Sequence, residues 1–227
     1  MSHTLSSNQR GFIEFLVRSG ALTFGDFMTK SGRKSPYFIN TGRFDDGAKI
    51  LELGEFYANH MVENSLQQAS VVFGPAYKGI PLAVSTCIAL KRSHDISLGF
   101  AFDRKEVKEH GDGGRIVGKK ISDGDSVVLV EDVITAGTTM REVIPLLRSL
   151  GKVILDGVVI AVDRCERGAS SLSAAQETEQ QFGVKVYPIV TIHQIVSHLS
   201  SKNGSGLVLT QEQLASVATY LQTYGVA

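Results

Sequence analysis

The chain has 227 residues, long enough for one domain with a substantial core and a small appendage. Lysine plus arginine and aspartate plus glutamate each number 23, which argues against a general nucleic-acid binder, because such proteins carry a clear basic excess. Two cysteines far apart, Cys87 and Cys165, show neither a disulfide framework nor zinc-type spacing, and Cys87 reads as a core residue in an apolar helical run.

The N-terminal run MSHTLSSNQRGFIEFLVRSG mixes apolar and polar residues at helical spacing and does not read as a signal peptide. No segment approaches the roughly 20 apolar residues of a membrane span, so cytosolic residence is expected. Phe12, Ile13, Phe15, Leu16 and Val17 make one side of a first helix, closed by Gly20. Extended pieces follow at Ala21–Phe27 and Ser35–Asn40, with Pro36 and two glycines marking turns. Asp45 or Asp46 is placed to cap a helix running to about Leu66.

Beyond that point the pattern changes. VVFGPAYKG, LGFAFDR, VVLVEDV, ILDGVVIAVDR and KVYPIV read as buried strands, and helices are predicted at Gly79–Arg92, Thr138–Leu150 and Ala174–Phe182. Strands alternating with helices predict an α/β fold with a mostly parallel central sheet flanked by helices. A last helix is expected at Gln211–Tyr224, after the polar Ser200–Gly206 segment. The expected division is 1–69 for the N-terminal helix, hood segment and first core helix, and 70–190 for the α/β core with a flexible lid at 103–115. Residues 191–227 form a C-terminal helical segment packing with the hood.

Four segments carry chemistry. In VVLVEDVITAGTT, Val127–Thr139, a buried strand runs into Glu131 and Asp132, which places both acids at the C-terminal edge of the sheet, where open α/β folds bind ligands. The small and hydroxyl residues that follow offer backbone N–H groups at a helix N-terminus, a cradle for phosphate. Acids beside a phosphate cradle suit a sugar phosphate, whose hydroxyls donate to carboxylates. The segment is neither a Walker loop nor a GxGxxG motif. It resembles the phosphoribosyl-pyrophosphate (PRPP) signature of the type I phosphoribosyltransferases.

In VVFGPAYKGIPLA, Val71–Ala83, glycines 74 and 79 admit close backbone approach, and Lys78 supplies a mobile charge. A lysine at a helix start is mildly disfavoured by the macrodipole. Its placement therefore reads as ligand contact, against the plainer alternative of a surface lysine. FDRKEVKEHGDGGRIVG, Phe102–Gly118, interleaves Arg104, Lys105, Lys108, His110 and Arg115 with acids and three glycines. It reads as an active-site lid or, equally in its mixed charge, a solvated loop. In AVDRCERGA, Ala161–Ala169, Arg164 falls at the end of a strand, with Asp163 possible as its anchor. Its guanidinium suits a planar carboxylate or carbonyl-bearing ring; a surface ion-pair cluster of Asp163, Arg164, Glu166 and Arg167 fits as well.

Taken in order, FGDFMTKSGRKSPYFIN, FGPAYKGIPLA, FDRKEVKEHGDGG, VEDVITAGTT and DRCERG resemble the orotate phosphoribosyltransferases of the pyrimidine pathway, over about Phe12–Leu199. The resemblance implies transfer of ribose 5-phosphate from PRPP to N1 of orotate, giving orotidine 5′-monophosphate and pyrophosphate, with Mg²⁺ held mainly by PRPP and water. It implies a hood from both termini, and a homodimer in which the lid enters the neighbouring site. Lys78, Lys105, Lys108, His110 and Asp132 then fall on catalytic positions. The same five, with Lys30, Tyr77, Arg104, Glu131, Val133, Ile134, Thr135, Ala136, Gly137, Thr138 and Thr139, fall on PRPP-contacting positions. Orotate contacts fall on Lys30, Phe38, Ile39, Thr135 and Arg164, and the peptide around Ala76-Tyr77 is expected to be strained.

Three residues depart from the family pattern. Glu131 stands where Asp is usual, as in purine-salvage relatives; Ile39 stands where a second Phe is common; Asp103 replaces a common Asn. A purine acceptor is therefore the rival substrate, opposed by the cations Arg164 and Lys30, which a neutral purine does not need. A non-catalytic PRPP-sensing regulator would lack Lys78 or the lid cations and carry a nucleic-acid-binding extension.

Overall fold

The computed structural model describes residues 4–29, 32–108, 114–134, 137–168, 170–200 and 208–226. Ser6 starts the first helix, α1 (Ser7–Arg18), through a reciprocal capping box with Gln9. Phe12, Ile13, Phe15 and Leu16 bury its inner side. Gly20, at φ +70°, lets the chain leave the helix. Strands β1 (Leu22–Met28) and β2 (Lys34–Ile39) pair antiparallel as a separate two-stranded sheet. Asp46, the second of the two candidate caps, accepts from Lys49 N at 2.8 Å and opens α2 (Gly47–Glu63).

The main sheet comprises β3 (Val71–Phe73), β4 (Gly99–Lys108), β5 (Gly114–Gly118), β6 (Ser126–Glu131), β7 (Ile154–Asp163) and β8 (Val186–Thr191), in the spatial order β5-β4-β3-β6-β7-β8. Only the β4–β5 pair is antiparallel; the other pairs are parallel. Helices α3 (Gly79–His94), α4 (Thr138–Arg148), α5 (Ala174–Phe182), α6 (Ile192–Ser200) and α7 (Gln211–Tyr224) complete the described elements.

The central strands are apolar on both faces because both faces are covered. Val72, Val128, Val130 and Val159 pack into one core with residues of α1, α2 and α3, whereas Val71, Phe73, Leu129 and Ile160 pack into a second with α4 and α5. Each such fully buried side chain contributes about 1.5–3 kcal/mol. The parallel strands β3, β6 and β7 thus present their C-terminal ends at one edge.

Phe102–Gly118 differs from the loop that its charges and glycines predict. Residues through Lys108 continue β4, and Gly114–Gly118 returns as β5, with Phe102 opposite Val117 and Asp103 opposite Ile116. Apolar residues on both arms supply strand surface that outweighs the interleaved charges. Gly118, at φ +97°, is required by close approach: a Cβ there would lie 2.3 Å from the Phe100 carbonyl oxygen. The expected lid thus includes two paired strands; residues 109–113, among them His110, lie outside the described residues.

The α7 helix lies against β2, with the Tyr220 ring edge-on to Tyr37 at 5.9 Å and 87°. Among the described residues, no helix is long and apolar enough to cross a membrane.

Candidate active site

The β6 strand delivers Glu131 and Asp132 to the sheet edge. Ala161 N on β7 donates to the Asp132 carbonyl at 2.9 Å, and the Tyr57 hydroxyl on α2 donates to the Glu131 carbonyl at 2.7 Å. The acid pair is therefore fixed through its backbone from two elements. Asp132 Oδ2 accepts from the Lys78 ammonium at 2.8 Å and from the Thr41 hydroxyl at 2.5 Å, while Lys78 also donates to Thr41 at 3.0 Å. Asp132 Oδ1 accepts from Val133 N at 2.7 Å.

The two carboxyls titrate in opposite directions. Burial, reinforced by the charge of Asp132, raises Glu131 well above the usual carboxylate range. Burial acts on Asp132 in the same sense, but the bonds from Lys78 and Thr41 outweigh it and hold that carboxyl below its usual value.

Lys78 reaches Asp132 because β3 ends at Phe73 and a short turn follows. The turn is tight: a Cβ on Gly74 would lie 1.9 Å from the Gly79 carbonyl oxygen. The Ala76–Tyr77 peptide is cis, and the Tyr77 side chain is 72% exposed. Asp103 on β4, 3% exposed, accepts from Ala76 N at 2.7 Å. Asp103 thus ties the base of the β4–β5 hairpin to the Lys78 turn.

After the acid pair, Gly137 takes φ +67° and opens α4 without a side-chain cap. A cavity of about 60 Å³ is lined by Glu131, Val133, Ile134, Gly137, Thr138, Thr139 and Met140. Thr135 and Ala136 lie outside the described residues. A second cavity of about 180 Å³ lies between α2, α3 and the acid pair, bounded by Tyr57, Pro81 and Leu82 together with Thr41, Lys78 and Asp132.

The remaining expected site residues sit further out. Arg104 is half-buried on β4. Lys105 Nζ lies 3.6 Å from Glu142 Oε2 on α4, in an exposed pair separate from the Asp132 cluster. Lys108 ends β4. On β2, Phe38 is 39% exposed and stacks on Phe27 at 5.4 Å, whereas Ile39 turns toward the core. Lys30 and His110 lie outside the described residues.

Arg164 follows β7 at the same sheet edge. Asp163, suggested as its anchor, instead accepts from Cys165 N at 2.8 Å. Cys165, at φ +50°, turns the chain back so that Glu166 meets Arg164, with Nη2 at 2.6 Å and Nε at 3.0 Å from Oε1. Their side chains are 15% and 14% exposed, which removes the surface-cluster alternative for this pair.

Thr41, Tyr57, Ser35, whose hydroxyl accepts from Arg164 Nη2 at 3.4 Å, and Tyr37, whose ring lies under the Arg164 guanidinium, are the members that sequence reasoning missed. Thr41 had a weak signal, a hydroxyl in an Asn-Thr-Gly turn just past a strand. Tyr57 on an amphipathic helix is indistinguishable from core.

Mg²⁺ favours oxygen ligands and retains waters. Glu131 and Asp132 offer adjacent oxygens, and among the described residues no group of three or more metal-binding side chains clusters. The two carboxylates fit such an ion as oxygen donors.

The phosphoribosyl transferase domain model matches residues 40–188. An orotate phosphoribosyltransferase of Clostridium beijerinckii is 46% identical over 222 residues, spanning 97% of this chain and 99% of that protein. Another, from Bifidobacterium longum, is 49% identical over 233 residues, spanning 99% of this chain and all of that protein. The crystal structure of orotate phosphoribosyltransferase from Francisella tularensis matches with a TM-score of 0.83 at 34% identity, covering 95% of this chain and 99% of its own. With shared sequence and fold along nearly its whole length, the chain belongs to the orotate phosphoribosyltransferase family.

Proposed function

We propose that this chain transfers ribose 5-phosphate from PRPP to N1 of orotate in a Mg²⁺-dependent reaction, releasing orotidine 5′-monophosphate and pyrophosphate. The observation that carries the reading is the junction at Asp132. The half-buried Asp132 carboxylate meets Lys78 and Thr41 there, and the adjacent Glu131 lines the pocket at the opening of α4. A phosphorylated pentose spans such a junction, with its hydroxyls at the acids, its 5′-phosphate in the Thr135–Thr139 turn and its pyrophosphate toward Lys78.

Departure of pyrophosphate leaves positive charge on the ribose ring, which the ionised Asp132 carboxylate would stabilise, while the raised Glu131 carboxyl would hydrogen-bond a ribose hydroxyl. Lys78 shifts from Asp132 to the leaving oxygens, where negative charge grows. Lys105, Lys108 and His110 reach the same oxygens from the neighbouring subunit of a homodimer. Each preorganised contact is worth about 2–4 kcal/mol of barrier. Mg²⁺, held by pyrophosphate, ribose hydroxyls and water, supplies further charge neutralisation. No covalent nucleophile is needed.

Orotate is an anion, and Arg164 offers it a guanidinium, with Lys30, Phe38, Ile39 and Thr135 as further contacts. A hood of β1, β2 and α7 covers the acceptor, and the enzyme works in the cytoplasm. The test is an absorbance assay with orotate, PRPP and Mg²⁺, run beside adenine and hypoxanthine. Orotate consumption without purine consumption is expected; consumption of a purine alone would overturn the acceptor assignment.

A further inference from the structure

Glu166 is the hub of a largely buried network around Arg164. Its Oε1 accepts from the Tyr37 hydroxyl at 2.6 Å as well as from Arg164 Nη2 and Nε, and its Oε2 lies 3.7 Å from Arg33 Nη1. The guanidinium of Arg164 also lies over the Tyr37 ring, with Cζ 4.5 Å from the centroid. Its edge is thus gripped by a carboxylate and its face by an aromatic ring. The fork takes Nε and Nη2, which leaves Nη1 as the terminus outside it.

The hub is held from behind. Tyr37 is fully buried, and Tyr220 of α7 braces its ring. Val226 N donates to the Cys165 carbonyl and Arg167 N to the Tyr224 carbonyl, both at 2.8 Å. The C-terminal segment thereby fixes the turn that carries Glu166.

A buried ion pair adds little net stability over apolar packing of similar volume, so this one at a ligand-binding sheet edge invites a functional reason. Recognition of a planar anion by arginine depends on the plane and direction of the guanidinium. We propose that Glu166 is a positioning residue that aims Arg164 Nη1 at the anionic pyrimidine acceptor, setting affinity for the acceptor and not for PRPP. Glu166 also shares the charge of Arg164, which weakens its pull on an anion. The gain in direction exceeds that loss, because a misdirected guanidinium makes no paired contact. The inference rests on the assignment of Arg164 to orotate made above.

Steady-state kinetics of Glu166→Ala, Glu166→Gln and Arg164→Met test it. Hydrogen bonds to charged groups are worth about 1.5–3 kcal/mol, so Glu166→Ala is expected to raise the orotate KM about tenfold or more. The PRPP KM should stay within about twofold, since no PRPP contact is lost. Glu166→Gln, which keeps a carbonyl acceptor for Tyr37 and Arg164, should recover part of the loss. An unchanged orotate KM in the Gln variant, or a parallel rise in both KM values, would overturn the proposal, including where the Ala variant does not fold. If Arg164→Met raises the orotate KM while folded Glu166 variants do not, the role of Glu166 alone fails. If Arg164→Met leaves it unchanged, the acceptor site itself is misassigned and the inference falls with it.

Discussion

Lys78 Nζ stands 2.8 Å from Asp132 Oδ2, so the cation assigned to the leaving group and the acid assigned to the ribose are already partners before substrate arrives. On the proposed reaction substrate would separate them. The ion pair would then act as a placeholder that keeps each group where charge later develops, and it limits the cost of a half-buried, unpaired carboxylate.

Replacing Lys78 by Ala removes that placeholder and the contact with departing pyrophosphate. The expected loss is about 2–4 kcal/mol of barrier, a fall in kcat of roughly 30- to 1000-fold. Comparison of kcat and the PRPP KM checks it, with the larger change expected in kcat.

Asp103→Ala deprives the half-buried Ala76 N–H of its acceptor. A stability cost of about 1–3 kcal/mol is expected in urea unfolding, along with a raised PRPP KM, because the Lys78 turn loses its tether. Asp103→Asn retains an acceptor oxygen and should stay close to the unaltered protein in both measurements.

Lys108→Ala should depress turnover far more than PRPP affinity, as expected for a contact made chiefly in the transition state. Mixing inactive Lys108→Ala subunits with inactive Asp132→Ala subunits should restore partial activity, because one site of each heterodimer would then be intact. Heterodimers that form yet stay inactive would contradict assembly of the site across subunits.

The opposite shifts of Glu131 and Asp132 give a signed pH dependence. The folded Glu131 carboxyl holds its proton more tightly than the unfolded chain does. Its contribution to stability is present at low pH and is lost as pH rises from the ordinary carboxylate range toward the raised folded value. Asp132, held low by Lys78 and Thr41, contributes above its unfolded value and loses that contribution as pH falls through the folded one. Urea unfolding at stepped pH should show the stability difference between the unaltered protein and Glu131→Gln declining with rising pH; a flat difference would contradict the shift.

Much of the fold is legible in the sequence because its strands are buried on both faces and read as short apolar runs between helical patterns. VVLVEDV is such a run, and the position of its acids follows from where the run stops. The β4–β5 hairpin is less legible, since charges and glycines dominate its composition while its strand character depends on pairing across residues 103 and 116. Long-range partners are the least visible of all. Thr41 and Asp132 are 91 positions apart, and Tyr37 and Glu166 are 129 apart. Glu166 also had a nearer rival in Asp163, and only the left-handed turn at Cys165 decides between them.

Calorimetric titration of PRPP with Mg²⁺ into the unaltered protein and into Asp132→Asn tests the sugar-phosphate junction most directly. Loss of a charged acceptor costs about 1.5–3 kcal/mol, so binding to the variant should weaken roughly ten- to a hundredfold. Equal affinity for the two proteins, or no heat with either, would contradict a ribose held at the end of β6.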